Sequence, residues 1–105
     1  MREALTFHHG ELDGLIIAHG IVSQGTIRET NMKDWDKIMA VNARSVFAMA
    51  SLCVSFLKEK QGCITILSGS AGMTPSPNYA VFSISKAIIN RFIECAALEL
   101  AYHKV

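Results

Sequence analysis

The sequence predicts an α/β domain whose parallel sheet is incomplete, in the order helix end, strand, helix, strand, helix. Two short runs, 15–18 and 64–67, are predicted strands. The first has the continuous apolar character of a parallel strand that is covered on both faces, and the second is a short apolar, β-branched run. The run 15–18 precedes the segment 32–60, and the run 64–67 precedes the segment 78–103. Both segments have apolar residues at helical spacing, which predicts helices. Residues 1–9 are typical of the end of a helix. Strands that alternate with helices indicate an open doubly wound fold, of which two strands form only a part.

The bulk composition narrows the classes of function. With 105 residues the chain has room for one small domain, and with 50% apolar and 18% charged residues it is globular rather than disordered. Its formal net charge is +1 and it has no basic run, so we expect no nucleic-acid partner. We expect no membrane partner either, because no apolar stretch approaches the roughly 18 residues of a membrane helix. The start, MREALTFHHG, lacks the apolar core of a secretory signal.

Cysteine and histidine usage indicates an intracellular, reducing compartment, either the cytoplasm or an organellar matrix. Cys53, Cys63 and Cys95 are odd in number and widely spaced, which favours free thiols. His8 and His9 are adjacent, but they have no cysteine or histidine partner at ligand spacing. No metal site is therefore predicted.

The first long helix, 32–60, has start and stop signals at both ends. Asn31 is a good helix N-cap, and Asp34 puts a negative charge into the first turn, where the helix dipole favours it. Gly62 is expected to end the helix. Apolar residues at helical spacing form one stripe along it: Trp35, Ile38, Met39, Val46, Met49, Cys53, Phe56 and Leu57.

The second long helix, 78–103, is apolar around most of its circumference. Its polar residues fall along one stripe, formed by Ser83, Lys86, Asn90 and Glu94. An apolar arc that wide exceeds what one face of a sheet covers, so it indicates a second partner surface. We expect a protein partner, or a second copy of the chain, to pack on the helices at 32–60 and 78–103.

The stretch from Cys63 to Asn90 combines a strand, a loop of small residues and a helix, which places a site at the carboxyl end of the strand. It resembles the catalytic segment of the short-chain dehydrogenase/reductase family, which runs serine, about a dozen residues, then Tyr-x-x-x-Lys. Lys86 fits the family lysine, but Phe82 stands at the tyrosine position and Gly69 at the serine position. The resemblance implies a partial Rossmann-like sheet with its two long interface helices.

The resemblance also implies roles for these positions. In the family the tyrosine exchanges a proton with the substrate during hydride transfer, the lysine holds the ribose and lowers the tyrosine pKa, and the serine binds the substrate oxygen. Phe82 has no exchangeable proton, and Gly69 has no side chain that could donate a hydrogen bond. Ser70 could substitute for the serine with a one-residue shift, and Tyr79 could offer a hydroxyl from a nearby helix face. Loop and N-cap hydrogen bonding is the simpler interpretation of both residues.

Asn42 and Lys86 each have two interpretations. Asn42 lies on the apolar stripe, where an amide without partners would cost roughly 1–3 kcal/mol. Its surroundings, 41–45, resemble the family segment whose catalytic asparagine holds a water leading to the lysine; the alternative is a core asparagine bonded to nearby backbone. Lys86 is either the retained ribose-binding lysine or a plain surface lysine. The motif context favours the family position for both.

The end of the first strand departs from the family. The family carries an Asn-Asn-Ala-Gly turn beside the cofactor, whereas this chain reads Ile17-Ala18-His19-Gly20. Gly20 is therefore a weak cofactor-binding candidate, and His19 is expected to be a loop histidine with a hydrogen bond rather than a catalytic group. The remaining early glycines are scattered and do not form the loop that wraps a pyrophosphate.

Residues 1–105 are best described as a single partial domain, without the family's N-terminal nucleotide-binding βαβ unit or its C-terminal substrate region. Two parallel strands would leave one face and both edges bare. One hypothesis is a truncated, catalytically inactive relative that serves as a structural or interaction module and has no cofactor of its own. The other is a piece of an NAD(P)-dependent oxidoreductase of the ketone/alcohol class whose remaining sequence is missing. The sequence does not choose NAD over NADP. A third hypothesis, a small α/β binding domain unrelated to this family, would be favoured if the strands were antiparallel.

Overall fold

The computed structural model describes residues 10–105, and within them the sheet has two strands. Strand β1 (Gly14–Ile17) pairs in parallel with β2 (Cys63–Ile66), in a register that sets Gly14 opposite Cys63 and Ile17 opposite Ile66. The predicted parallel α/β fold is confirmed. Each strand begins and ends one residue earlier than its apolar run suggested. The predicted helix end at residues 1–9, with His8 and His9, lies outside the described residues.

Three α-helices follow the predicted segments. The first segment is divided into α1 (Met32–Met39), a π-helical turn (Ala40–Arg44) and α2 (Ser45–Lys60). The second segment forms α3 (Ala80–Leu100), which a 3₁₀ turn extends over Ala101–His103. A regular apolar stripe does not reveal a π turn, because that turn arises from contacts made with other parts of the chain.

The predicted start of α1 and the predicted end of α2 at Lys60 agree with the structure, but the residue expected to stop the helix does not. Asn31 Oδ1 accepts a hydrogen bond from the Asp34 backbone N–H at 2.9 Å. At the other end Gln61, rather than Gly62, takes the left-handed conformation, with φ of 53°. Gly62 is required for space, because a Cβ there would lie 2.5 Å from the Asp13 carbonyl oxygen.

Within residues 10–105, one face of the sheet forms the core and the other is left uncovered. Leu15 and Ile17 point into the helices and are buried, whereas Ile16, between them, is 72% exposed. The prediction that the first strand is covered on both faces is therefore wrong within residues 10–105, since the helices cover one face only. The buried cluster consists of Leu15, Ile17, Val46, Ala50, Cys53, Leu57 and Ile89.

The helical segment Met32–Lys60 is long and apolar enough to cross a membrane, by length and composition alone. No uninterrupted apolar run predicts such a span, because charged residues divide the sequence of this segment. Val46, Ala50 and Leu57 of this segment are buried in the core cluster. Core packing therefore accounts for part of its apolar content.

Two loops meet at the carboxyl ends of the strands. The Gly25 N–H donates to the Asn78 carbonyl oxygen at 2.8 Å, and Gly25 forms an isolated parallel bridge with Tyr79. Asn78 has φ of 66°, so α3 begins at Ala80, two residues after the predicted start. The bridge holds the loop that follows β1 against the loop that precedes α3.

Candidate functional site

Lys86 lies in the interior of the molecule. It sits on α3 and is only 7% exposed, which rules out the interpretation as a plain surface lysine. Its Nζ donates to the carbonyl oxygen of Leu67 at 3.4 Å, just beyond the end of β2. Helix α3 therefore places the buried Lys86 ammonium at the carboxyl end of β2.

The aromatic ring of Phe82 faces this cation. Phe82 precedes Lys86 by four residues, so both side chains lie on the same face of α3. The Lys86 Nζ lies 5.9 Å from the centre of the Phe82 ring, which is the range of a cation–π contact. The side chain that faces the Lys86 ammonium is therefore a hydrocarbon ring without an exchangeable proton.

Asn42 is buried and fully engaged. Its Oδ1 accepts from the Ile21 N–H at 2.8 Å, and its Nδ2 donates to the Ile21 carbonyl oxygen at 2.7 Å. The Nδ2 also donates to Ser85 Oγ at 3.1 Å. The bonds to the Ile21 backbone are those expected of a core asparagine, and the bond to Ser85 ties the residue to α3. The π turn, with Asn42 at its centre, accommodates this arrangement.

Ser85 is a member of the site whose contacts the sequence analysis did not predict. It is fully buried, accepts from Asn42, and donates from its Oγ to the Phe82 carbonyl oxygen at 2.7 Å. The signal was present in the sequence, since Ser85 is a polar residue directly before Lys86 and lies off the polar stripe of α3. A buried hydroxyl at such a place requires partners on another element.

Gly20 lies where the side chains of Asn42 and Lys86 converge. A Cβ at Gly20 would be 3.3 Å from both Asn42 Oδ1 and Lys86 Nζ. Any side chain at position 20 would therefore push against both groups. The structure brings this weak candidate into the site, on the side formed by the loop after β1.

Gly69 and its neighbours lie in the loop that follows β2. Gly69 is extended, with φ of −177°, and nothing lies within 4 Å of a Cβ built on it. Ser70 is exposed and begins a short 3₁₀ turn, while Ser68 Oγ makes a long 3.5 Å contact with the Lys86 carbonyl oxygen. Gly72, which the sequence analysis did not single out, packs tightly: a Cβ there would lie 2.9 Å from Lys86 Cβ and from the Lys86 carbonyl carbon.

His19 and Tyr79, which were also considered from the sequence, lie in loops and form hydrogen bonds there. His19 is exposed and its Nε2 lies 2.6 Å from Ser45 Oγ, which agrees with a loop histidine that has a hydrogen bond. Tyr79 precedes α3, bridges to Gly25, and accepts the Ser83 N–H at its carbonyl oxygen. Lys86, Asn42, Ser85, Gly20 and Phe82 are therefore the residues that the fold gathers.

Comparison with known proteins gives the same family over the whole chain. A family model described as short chain dehydrogenase matches residues 1–105. An uncharacterised oxidoreductase of Thermotoga maritima is 38% identical over 81 residues, which cover 76% of this chain and 32% of that protein. A cyclopentanol dehydrogenase of a Comamonas species is 31% identical over 91 residues, covering 86% and 36%. A versicolorin reductase of Emericella nidulans is 32% identical over 98 residues, covering 93% and 37%.

A solved structure shows the same fold. The short-chain type dehydrogenase/reductase from Mycobacterium marinum superimposes with a TM-score of 0.88 at 21% identity, covering 98% of this chain and 42% of that one. The chain spans about a third of the length of the curated relatives named above. The predicted family is confirmed: the chain belongs to the short-chain dehydrogenase family.

Proposed function

We propose that residues 1–105 form a catalytically inactive segment of the short-chain dehydrogenase fold that serves as an interaction module. The observation that supports this proposal is the Phe82 ring, 5.9 Å from Lys86 Nζ, at the sequence position where the resemblance expects the proton-exchanging tyrosine. A phenyl ring neither gives nor takes a proton, so the substrate oxygen would have no acid or base partner there. Gly69 has no side chain that could donate a hydrogen bond to that oxygen.

The residues that are present fit one half of the family site. Family membership implies a nicotinamide cofactor, which supplies or accepts a hydride when bound. The buried ammonium of Lys86 would hold its ribose hydroxyls, with Gly20 allowing close approach because it lacks a Cβ. Asn42 would keep the loop after β1 in place. The half of the site that moves a proton does not fit, since Phe82 and Gly69 occupy it.

A turnover assay tests inactivity directly. The purified chain is mixed with NADH or NADPH and a panel of cyclic and aromatic ketones, and nicotinamide absorbance is followed. We expect no oxidation above the rate without protein. Ketone-dependent oxidation that co-purifies with the chain would overturn the proposal.

A graft into a full-length relative tests whether inactivity comes from the missing hydroxyl groups at positions 82 and 69 or from the missing remainder of the fold. The segment 63–90 replaces its counterpart in the Comamonas cyclopentanol dehydrogenase, either unchanged or with Phe82→Tyr and Gly69→Ser together. The serine has room, because Gly69 is extended and faces open space. We expect the unchanged graft to be inactive and the substituted graft to regain turnover, since one transition-state hydrogen bond is worth on the order of 100-fold or more. A folded, cofactor-binding graft without recovery would show that the site is misplaced.

A second candidate is a piece of an NAD(P)-dependent oxidoreductase of the ketone/alcohol class. The retained Lys86 and Asn42, and the chain's coverage of about a third of its relatives, favour it. The flanking genomic sequence discriminates between the two candidates. An in-frame glycine-rich βαβ unit upstream would favour the oxidoreductase.

We further propose that a second copy of the chain packs on the outer faces of α2 and α3. These helices border a groove of about 250 Å³ whose lining includes Phe47, Ser51, Val54, Phe92 and Cys95. Phe47 is 60% exposed and meets the Phe92 ring edge-on, with centroids 5.3 Å apart. A twofold interface lets the same pair of helices serve as groove on one copy and as filler on the other.

The native mass of the purified chain, measured over a range of concentrations, tests the interface. Ser51→Arg places bulk and charge in the groove without removing a core side chain, so it should shift the mass to that of a monomer. Ile27→Arg is the matched control: Ile27 is 87% exposed on a loop outside the groove, and its change should leave the mass unaltered. A monomeric parent chain, or equal effects of the two variants, would contradict the interface.

A further inference from the structure

The loop after β1 is attached to the π turn at two points, on either side of Gly20. After Gly20, Ile21 bonds to Asn42 through both its N–H and its carbonyl oxygen. Before Gly20, His19 Nε2 lies 2.6 Å from Ser45 Oγ and 3.2 Å from the Val41 carbonyl oxygen. Gly20 is the residue whose Cα faces Asn42 Oδ1 and Lys86 Nζ. The first attachment uses the candidate site residue Asn42, whereas the second has no role in the site described above.

The hydrogen-bond directions at His19 follow from its partners. The Val41 carbonyl oxygen only accepts, and the Ser45 hydroxyl already donates to it at 2.6 Å. Ser45 Oγ then has a lone pair for His19 and no proton. Both contacts are satisfied when His19 Nε2 carries a hydrogen and donates, and a bare Nε2 would place its lone pair against the Val41 oxygen.

We propose that His19 is a positioning residue, which as the Nε2–H tautomer clamps the loop after β1 onto the π turn and thereby fixes Gly20 and Ile21 over Asn42 and Lys86. The hydrogen bonds of His19 hold this loop in place whether or not the chain is an active enzyme. The consequence of the clamp is local, since it controls how closely the loop approaches the Lys86 ammonium.

Two measurements test the clamp on the full chain. The first needs no mutation: nitrogen-15 spectra of the imidazole report which ring nitrogen of neutral His19 carries the hydrogen, and we expect Nε2. The second follows amide hydrogen exchange at Ile21, whose N–H donates to Asn42, and at Leu67, whose N–H donates to the Ile17 carbonyl oxygen at 2.9 Å. Leu67 reports on the sheet and not on the clamp.

We expect His19→Ala to speed exchange of the Ile21 amide by about five- to tenfold, which corresponds to the loss of one ordinary hydrogen bond. The Leu67 amide should exchange at an unchanged rate. His19→Gln, whose side-chain amide also donates, should restore part of the protection, and Ser45→Ala should reduce the effect of removing His19. Hydrogen on Nδ1 in neutral His19, an unchanged Ile21 amide, or equal acceleration at Ile21 and Leu67 would each overturn the proposal.

Discussion

Replacing Gly72 by alanine tests the packing that seats the loop after β2 against α3. The added Cβ would lie 2.8 Å from Asn90 Nδ2 and 2.9 Å from both the carbonyl carbon and the Cβ of Lys86. The Asn90 amide can swing aside, but the backbone of α3 cannot, so either the helix or the loop must shift. Overpacking of this kind costs about 1–3 kcal/mol. We expect Gly72→Ala to lower the free energy of unfolding by that amount, measured by urea denaturation followed by circular dichroism.

Gly69→Ala is the matched control, three residues earlier in the same loop. Nothing lies within 4 Å of its added Cβ, and φ of −177° suits any residue. The unfolded chain loses conformational freedom, so Gly69→Ala should be stabilising by about 0.4–1 kcal/mol. In thermal unfolding each kcal/mol appears as a shift of roughly 4–8 °C for a domain of this size. If Gly72→Ala proved as stable as Gly69→Ala, the close approach of the loop to Lys86 would be wrong.

Three further outcomes are expected. Asn42→Ala removes the hydrogen-bond partner of the Ile21 N–H and carbonyl oxygen and one partner of the Ser85 hydroxyl. Urea denaturation should show that the free energy of unfolding falls by roughly 2–4 kcal/mol. A fall of less than about 0.5 kcal/mol would contradict the buried network. Asn31→Ala removes the N-cap of α1 and should cost about 1 kcal/mol, while Asn31→Asp, which keeps the acceptor, should cost little. Burial raises the pKa of the Cys53 thiol, so the unfolded chain releases that proton first and stability should fall as the pH rises above about 8.5. Cys53→Ala should flatten this alkaline decline, and an unchanged slope would show that another group causes it.

The elements of the fold could be predicted from the sequence because each has a local signal. The apolar runs 15–18 and 64–67 indicated the strands, and the amide of Asn31 indicated the start of α1. The predicted end at Lys60 was right, but Gln61 rather than Gly62 takes the left-handed conformation after it. Glycine favours a left-handed stop, but the need for Gly62 comes from the Asp13 carbonyl, which lies far away in sequence.

The site could be predicted only in part, because its geometry depends on contacts between distant elements. Periodicity placed Lys86 on a polar stripe, yet it is buried, since the loops that contain Gly20 and Gly72 close over it. The motif spacing placed Phe82 beside Lys86, which the structure shows. The Asn42–Ser85 bond joins residues 43 positions apart, and no local pattern reports such a bond.

The uncovered side of the sheet has a consequence for handling the protein. Ile16 presents its side chain to water beside exposed Leu67, and each four-residue strand has its outer edge unpaired within the described part of the chain. Apolar strand edges without charged gatekeepers recruit further strands. Expression yield and shelf life should therefore depend on this exposed sheet face and its strand edges. Co-production with a polypeptide that covers them should keep the chain in solution.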